Sequence, residues 1–445
     1  MNRFLIIASI AAVFLGIAVI AFPDGAAALL VVLCSGLLAV VIIRYFSEEK
    51  KYLTGVFLIA LMLRLAFGIF VHWFDMRAFF GGDALTYDYK GNLLLQSWLG
   101  QIPSSDIEVR QAAVMSGPGW GMNYLVAALY LIVGRNILAA QSFCAVIGAA
   151  TAPMVYFCST KIFKNKGVGK FAAIAIAVFP AFVIWSGQLL KDGLIIFLLV
   201  LTMTMVLQLQ ERLSYVAVAM LIFSLAGILS LRFYIFYMVG MAVVGSFLIG
   251  TSNSGRSIAR RTAVLVIMGL GLTYFGVTRT ATTDLTQYGN LQQLQRSRLD
   301  AAQSSKSGFS EDVDVSTTQG ALTAVPLGFL YLMFAPFPWA VSSVRQTITV
   351  PEVLVWWAMI PVMVYGLWWT IRHKLRAAFP ILIFSLMLTL AYSIFQGNVG
   401  TAYRQRTQIQ VFLFMFIGVG WQIYQERKQD KKLLQRNRGP HNDRF

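Results

Sequence analysis

The sequence predicts an all-α polytopic membrane protein with about twelve transmembrane helices and additional interfacial helices on the outer face. Three observations lead there. Of 445 residues, 58% are hydrophobic and only 12% charged, with a mean hydropathy of +0.69, which is far too apolar for a soluble chain. Apolar runs recur at lengths able to cross about 30 Å of hydrocarbon. The basic residues sit in short clusters between those runs and in the C-terminal tail, the distribution that orients membrane proteins. The formal net charge of +17 is therefore read as orienting charge, and no nucleic-acid partner is expected; the partner of this surface is the lipid bilayer. Cys34, Cys144 and Cys158 lie in apolar segments without CxxC spacing, and His72, His373 and His441 are scattered. Neither a disulfide framework nor a zinc site is indicated.

Taken in chain order, the run at 4–21 reads as a retained first helix, because a second apolar segment follows after Phe22, Pro23, Asp24 and Gly25 and no small-residue cleavage site is evident. The basic tail at 426–445 places the C-terminus in the cytoplasm. Arg44 with Lys50 and Lys51, the cluster at 161–170, Arg256 with Arg260 and Arg261, and Arg372 with Lys374 and Arg376 should face the same side. An even number of crossings must then separate Lys51 from Lys161, yet three apolar segments occur there, at 53–74, 120–133 and 137–157. The middle one has only about fourteen residues and follows Gly117, Pro118 and Gly119, so it is expected to be interfacial or half-inserted. The same conflict arises between Arg261 and Arg372, with candidates at 263–277, 322–341 and 353–371. Pro326, Pro336 and Pro338 interrupt the second, so the run from Phe334 to Trp339 reads as a re-entrant or interfacial turn. Residues 1–425 thus form one membrane module with both termini cytoplasmic, a first outer loop at 75–119 and a second outer region at 279–345.

With that orientation the unusual polar motifs fall on the outer face. Asp83 follows Gly81 and Gly82 directly after a long apolar segment, and a carboxylate at a bilayer edge is costly to dehydrate without a purpose. It can cap a helix over 84–95 or act as a general base. Tyr87 and Asp88 lie about one turn on, roughly on the same side. Lys191 and Asp192 open an apolar helix: the plain reading is an interfacial anchor with an ion pair, and the functional one has Lys191 on an anionic group while Asp192 orients a ligand or the first carboxylate. Arg232, between two apolar segments, is either a snorkelling side chain or a phosphate ligand. Arg404 and Arg406 follow a glycine-rich turn and Tyr403, and their planar guanidinium forks match phosphoryl oxygens. The polar stretch 279–320 reads as a flexible connector or as a lid over the site. Trp120 and Trp185, near the outer surface, are the aromatics placed to support a sugar ring.

Carboxylates able to accept a proton, cations able to hold a phosphate and a membrane setting together suit glycosyl transfer from a lipid phosphate. An outward-facing site needs a lipid-linked donor, since nucleotide sugars are cytoplasmic. The order of motifs resembles the GT-C superfamily of integral-membrane glycosyltransferases that use polyprenyl-phosphate sugars, and is similar to its protein O-mannosyltransferase and aminoarabinose transferase branch. The resemblance rests on Asp83 in the first outer loop, a short Pro-led helix over 118–134, a helix over 141–161 ending in basic residues, an apolar helix ending at Pro180, and a Ser186-containing junction leading to Asp192. It implies a GT-C-like fold, Asp83 as catalytic base and Asp192 in support of it. Arg404, Arg406, Lys191 and Arg232 would surround the lipid phosphate, and Tyr87, Asp88 and Tyr403 would complete substrate binding. It further implies a bacterial inner-membrane location, a polyprenyl-phosphate sugar as donor and an envelope glycan, lipid or protein as acceptor. Ala84 stands where the family often has a second acidic residue, and no carboxylate-rich metal motif is evident, which leaves open whether a divalent metal, Mg or Mn, bridges Asp83 to the phosphate. The competing readings are an O-antigen polymerase or ligase acting on pyrophosphate-linked oligosaccharides, and a lipid-linked saccharide transporter. The absence of internal repeats and the position of the charges at the outer rim disfavour the transporter.

Overall fold

The computed structural model describes residues 24–249, 254–303, 307–309 and 313–437; the expected helix at 4–21 and the end of the basic tail lie outside them. Every regular element among the described residues is helical. Two long apolar helices, α1 (Asp24–Phe46) and α2 (Lys50–Trp73), come first among the described residues. Four shorter ones follow: α3 (Arg77–Gly81), α4 (Asp83–Trp98), α5 (Ile107–Ala113) and α6 (Trp120–Val133). Helix α5 starts where the Asp106 side chain accepts the Glu108 and Val109 N–H groups, and α6 is bounded by Gly119 and Gly134, both with positive φ. The short apolar segment anticipated at 120–133 is therefore a discrete 14-residue helix.

Helix α7 (Ile137–Phe163) begins on an Asn136 cap, and α8 (Lys166–Val178) on an Asn165 cap. The chain then bends by 56° into α9 (Pro180–Ser186), since Pro180 has no N–H with which to continue the ladder. Helix α10 (Lys191–Glu211) is followed by α11 (Tyr215–Leu231) and α12 (Phe233–Ile249), with Arg232 alone between the last two. Beyond them come α13 (Gly255–Tyr274), α14 (Val277–Tyr288) at a 75° bend, and α15 (Leu291–Gln303). The stretch 279–320 is thus largely helical rather than a structureless connector. Helix α16 (Thr318–Phe334) runs through Pro326, which, against expectation, does not interrupt it, and stops before Pro336; the 52-residue α17 (Val344–Phe395) is kinked at Lys374, and α18 (Val399–Asn437) ends the described chain.

Among the described residues six helices are long and apolar enough to cross a membrane, or eight if each bent pair forms one span. The expected count was about twelve. The difference lies in α11 and α12, which are apolar but only 17 residues long, in α17, where two helices meeting at the Lys374 kink count as one span, and in residues 4–21, outside the described residues; α6 and α16 are not among the twelve. Helices α7, α10 and the first half of α18 are buried on nearly every side, as expected of α7 and α10, which are apolar nearly all round. Helices α17 and α18 cross so closely that a Cβ on Gly366 would stand 1.9 Å from the Phe416 carbonyl oxygen, and one on Gly420 2.3 Å from that of Val362.

The charged loops separate along the bundle. Lys161 and Lys164 pair with Glu211 at 3.2 and 2.8 Å, Lys166 with Glu48 at 3.3 Å and Lys170 with Glu49 at 3.1 Å. Arg260 donates to the Glu211 carbonyl at 2.7 Å. These groups gather at the C-terminal end of α10, whereas Lys191 and Asp192 begin it. Its 21 residues separate the two ends by about 30 Å, the thickness of a hydrocarbon core.

Candidate active site

At the end of the bundle opposite the basic loops, four elements bring ionised side chains together. Asp83 is the first residue of α4, Lys191 and Asp192 the first two of α10, Arg232 the link between α11 and α12, and Arg404 lies in the second turn of α18. Arg404 bridges the two carboxylates. Its Nε donates to Asp192 Oδ2 at 2.7 Å and its Nη1 to Asp83 Oδ2 at 3.0 Å. On the other side Asp192 Oδ1 accepts from Arg232 Nη2 at 3.0 Å. Asp192 is fully buried, while the Asp83 side chain keeps 47% of its exposure. The Arg404 guanidinium also lies 5.4 Å from the centre of the Trp185 ring, a cation–π contact that fixes its plane.

The capping expectation for Asp83 is corrected here. The residue before α4 is Gly82, no side chain caps the helix, and the Asp83 carboxylate reaches across to Arg404 instead. An acidic residue in a first turn is still favoured by the helix dipole, which serves Asp83 and Asp192 alike.

Beside Asp83 opens a cavity of about 490 Å³. Helices α4, α6 and α10 each contribute their first residue to its wall, as Asp83, Trp120 and Lys191, so three positive helix ends converge on it. Gly119, at φ +89°, precedes α6, and a Cβ there would stand 3.0 Å from both Lys191 Nζ and Tyr87 Oη. The ammonium and the phenol therefore meet over bare backbone. Burial, together with the Asp83 charge, pushes the Tyr87 phenol well above its ordinary value, so it stays a neutral hydrogen-bond donor. Neither Lys191 nor Lys90, which also lines the cavity, takes part in an ion pair with any described residue. Arg232, Arg404 and Lys191 set against Asp83 and Asp192 leave a formal charge of +1.

Asp83, Tyr87, Lys191, Asp192, Arg232 and Arg404 thus come together, and three other expected residues have different partners. Asp88 pairs with Arg135 at 2.6 Å and accepts from the Tyr130 hydroxyl at 2.6 Å. Tyr403 donates to Glu352 Oε2 at 2.6 Å. Arg406 is fully buried, its Nη1 on the carbonyls of Met333 and Ala335 at 3.0 and 2.9 Å, where α16 ends. The two arginines sit 200° apart around an ideal helix at about 100° per residue, so close spacing in sequence sends them to opposite sides.

Of the two tryptophans singled out, Trp120 lines the cavity, its indole N–H buried without a partner, and Trp185 lies under Arg404. Lys90 went unremarked in the sequence, although it lies three residues after Tyr87 and seven after Asp83, a spacing that sets all three on one helix face. From α14, Gln287 joins the cavity wall and buried Asp284 accepts the Gly117 N–H at 2.9 Å. The polar stretch 279–320 thereby contributes to the site's enclosure.

A divalent metal fits this donor set poorly. Both carboxylates are engaged by guanidinium groups, and no group of three or more His, Cys, Asp and Glu side chains gathers among the described residues. A hard cation would need several oxygen ligands, whereas this cavity is lined by cations and helix N-termini. No protein-family model matches the chain, and the search of curated proteins returned no match.

Proposed function

We propose that the protein is a membrane glycosyltransferase. It moves a sugar from a polyprenyl-phosphate-linked donor to an acceptor at the outer face of a bacterial inner membrane, in envelope polysaccharide, lipid or protein glycosylation. Both termini would be cytoplasmic, with about twelve crossings. The observation that supports this best is Arg404 clasped between a buried carboxylate and an accessible one, at the rim of a cavity that holds an unpaired lysine.

In this reading the donor phosphate takes the place of Asp83 on the Arg404 fork and accepts a second charge-assisted bond from Lys191. Asp83, released, accepts the proton of the acceptor hydroxyl as that oxygen attacks the anomeric carbon. The bond from the anomeric carbon to the phosphate oxygen breaks, and its electron pair leaves with the polyprenyl phosphate, whose growing charge Arg404 and Lys191 stabilise. Asp192, already neutralised by Arg232, keeps Arg404 aimed throughout. Tyr87 donates a hydrogen bond to the sugar or the phosphate.

Turnover in nanodiscs with radiolabelled polyprenyl-phosphate sugars, using envelope extract as acceptor, tests the proposal. Asp83→Asn is expected to lower transfer by about 10²–10⁴-fold with donor binding retained, and Arg404→Ala to weaken donor binding as well. If only pyrophosphate-linked oligosaccharides are consumed, and Asp83→Asn still turns them over, the polymerase or ligase reading replaces this one.

A further inference from the structure

Lys90 has no role in the chemistry above, yet it faces the same cavity. It lies seven residues after Asp83 on α4, about 10 Å further along the helix. Asp83, Thr86, Tyr87 and Lys90 all line the cavity, as positions i, i+3, i+4 and i+7 of one face should. Gln111, Ser116, Asn123 and Gln287 supply uncharged polar groups to the same cavity wall. No carboxylate other than Asp83 lines the cavity, and Lys90 forms no ion pair with a described residue. A partly buried ammonium without a counter-ion, in a cavity whose wall also carries amides and hydroxyls and whose space is large enough for a saccharide, is suited to an anionic sugar substituent.

We infer that the acceptor is an anionic saccharide and that Lys90 recognises its charged group, a carboxylate or a phosphate, about two helical turns from the reacting hydroxyl at Asp83. The inference rests on the glycosyltransferase reading for the word acceptor, but the binding preference does not depend on that reading. The donor phosphate has Arg404 and Lys191 at the opposite end of this row, which leaves Lys90 for a second anion. Trp120, also in the wall, offers its ring to a sugar face and its unpartnered indole N–H to a hydroxyl.

Equilibrium dialysis of the full chain in nanodiscs tests this with three radiolabelled disaccharides: one ending in glucose, one in glucuronic acid and one in glucose 6-phosphate. At least one anionic probe should bind about tenfold more tightly than the neutral one, and the better of the two identifies the charged group. Lys90→Gln should remove that preference, Lys90→Arg should retain it, and Asp83→Asn should leave it in place. Equal binding of all three probes, or a preference that survives Lys90→Gln, would overturn the inference. Transfer to neutral and anionic acceptors alike in the native protein, without a binding preference, sinks this inference alone. A preference that depends on Lys90 in a protein that transfers no sugar sinks the glycosyltransferase reading and leaves the anionic saccharide site standing.

Discussion

Two carboxylates share one guanidinium, but their surroundings divide the work between them. Asp192 is fully buried between Arg404 and Arg232, so Asp192→Asn would leave the buried Arg232 without its carboxylate and Arg404 with Asp83 alone. A loss of about 3–5 kcal/mol is expected, read as a lower unfolding temperature in detergent. Asp83 is half exposed, so Asp83→Asn should cost no more than about 1 kcal/mol while removing the proposed base. Equal destabilisation by the two substitutions would contradict this division. Gly119 makes a third case, because φ +89° is strained for any residue with a Cβ and that Cβ would stand 3.0 Å from Lys191 Nζ. Gly119→Ala should cost about 1–3 kcal/mol and displace the ammonium. Donor affinity measured on the folded fraction should therefore fall, and unchanged affinity would remove Lys191 from the site.

Among the elements, two broken helices are held by the same device, a buried arginine on the carbonyls of a helix end. Arg64 of α2 donates to the carbonyls of Ile176 and Ala177 at 3.0 and 3.1 Å and to Ser186 Oγ at 2.8 Å, which secures the bend between α8 and α9. Arg406 does the same where α16 stops, beside Trp356, whose indole donates to the Met333 carbonyl at 2.9 Å. Arg64→Met and Arg406→Met should each cost about 3 kcal/mol, because buried carbonyls lose their donor, and limited proteolysis should report faster cleavage. Donor affinity of the surviving folded protein should stay within about twofold for Arg406→Met, against a loss of more than about tenfold for Arg404→Ala; equal losses would return Arg406 to the phosphate. These contrasts also show what was legible in the sequence. The helix at 120–133, the break at Pro180 and the stop before Pro336 follow from segment length and proline chemistry, which are local. Asp83, Lys191, Asp192, Arg232 and Arg404 could be picked out because charge beside apolar segments is costly wherever it stands. Which of two neighbouring arginines faces the site depends on how α18 is rotated within the bundle, a tertiary quantity. Lys90 escaped notice because an amphipathic helix with a lysine on it is ordinary until a cavity lies in front of that lysine.

At the scale of the whole molecule, function depends on the site and the basic loops lying at opposite ends of the bundle. Helix α10 runs from Lys191 at the cavity to Glu211 among the lysines, and α7 runs between the same ends, from Asn136, which donates to the Asp24 carbonyl at 2.9 Å, to Lys161. Each is long enough to cross about 30 Å of hydrocarbon. On the proposed reading the positive-inside bias would put the lysine end in the cytoplasm and the cavity outside, where the proposed donor would have to be lipid-linked. Cysteine labelling can test this orientation, since Cys144 and Cys158 are buried and Cys34→Ser removes the exposed thiol. In that background Ser105→Cys, exposed between α4 and α5, should react with a membrane-impermeant maleimide in sealed right-side-out vesicles. Glu48→Cys, whose native side chain is 88% exposed among the basic loops, should react only in inverted ones. Both positions labelling from one side would break the two-ended bundle. Labelling from opposite sides in the reverse sense would put the cavity in the cytoplasm, where nucleotide sugars are available and the argument for a lipid-linked donor no longer holds.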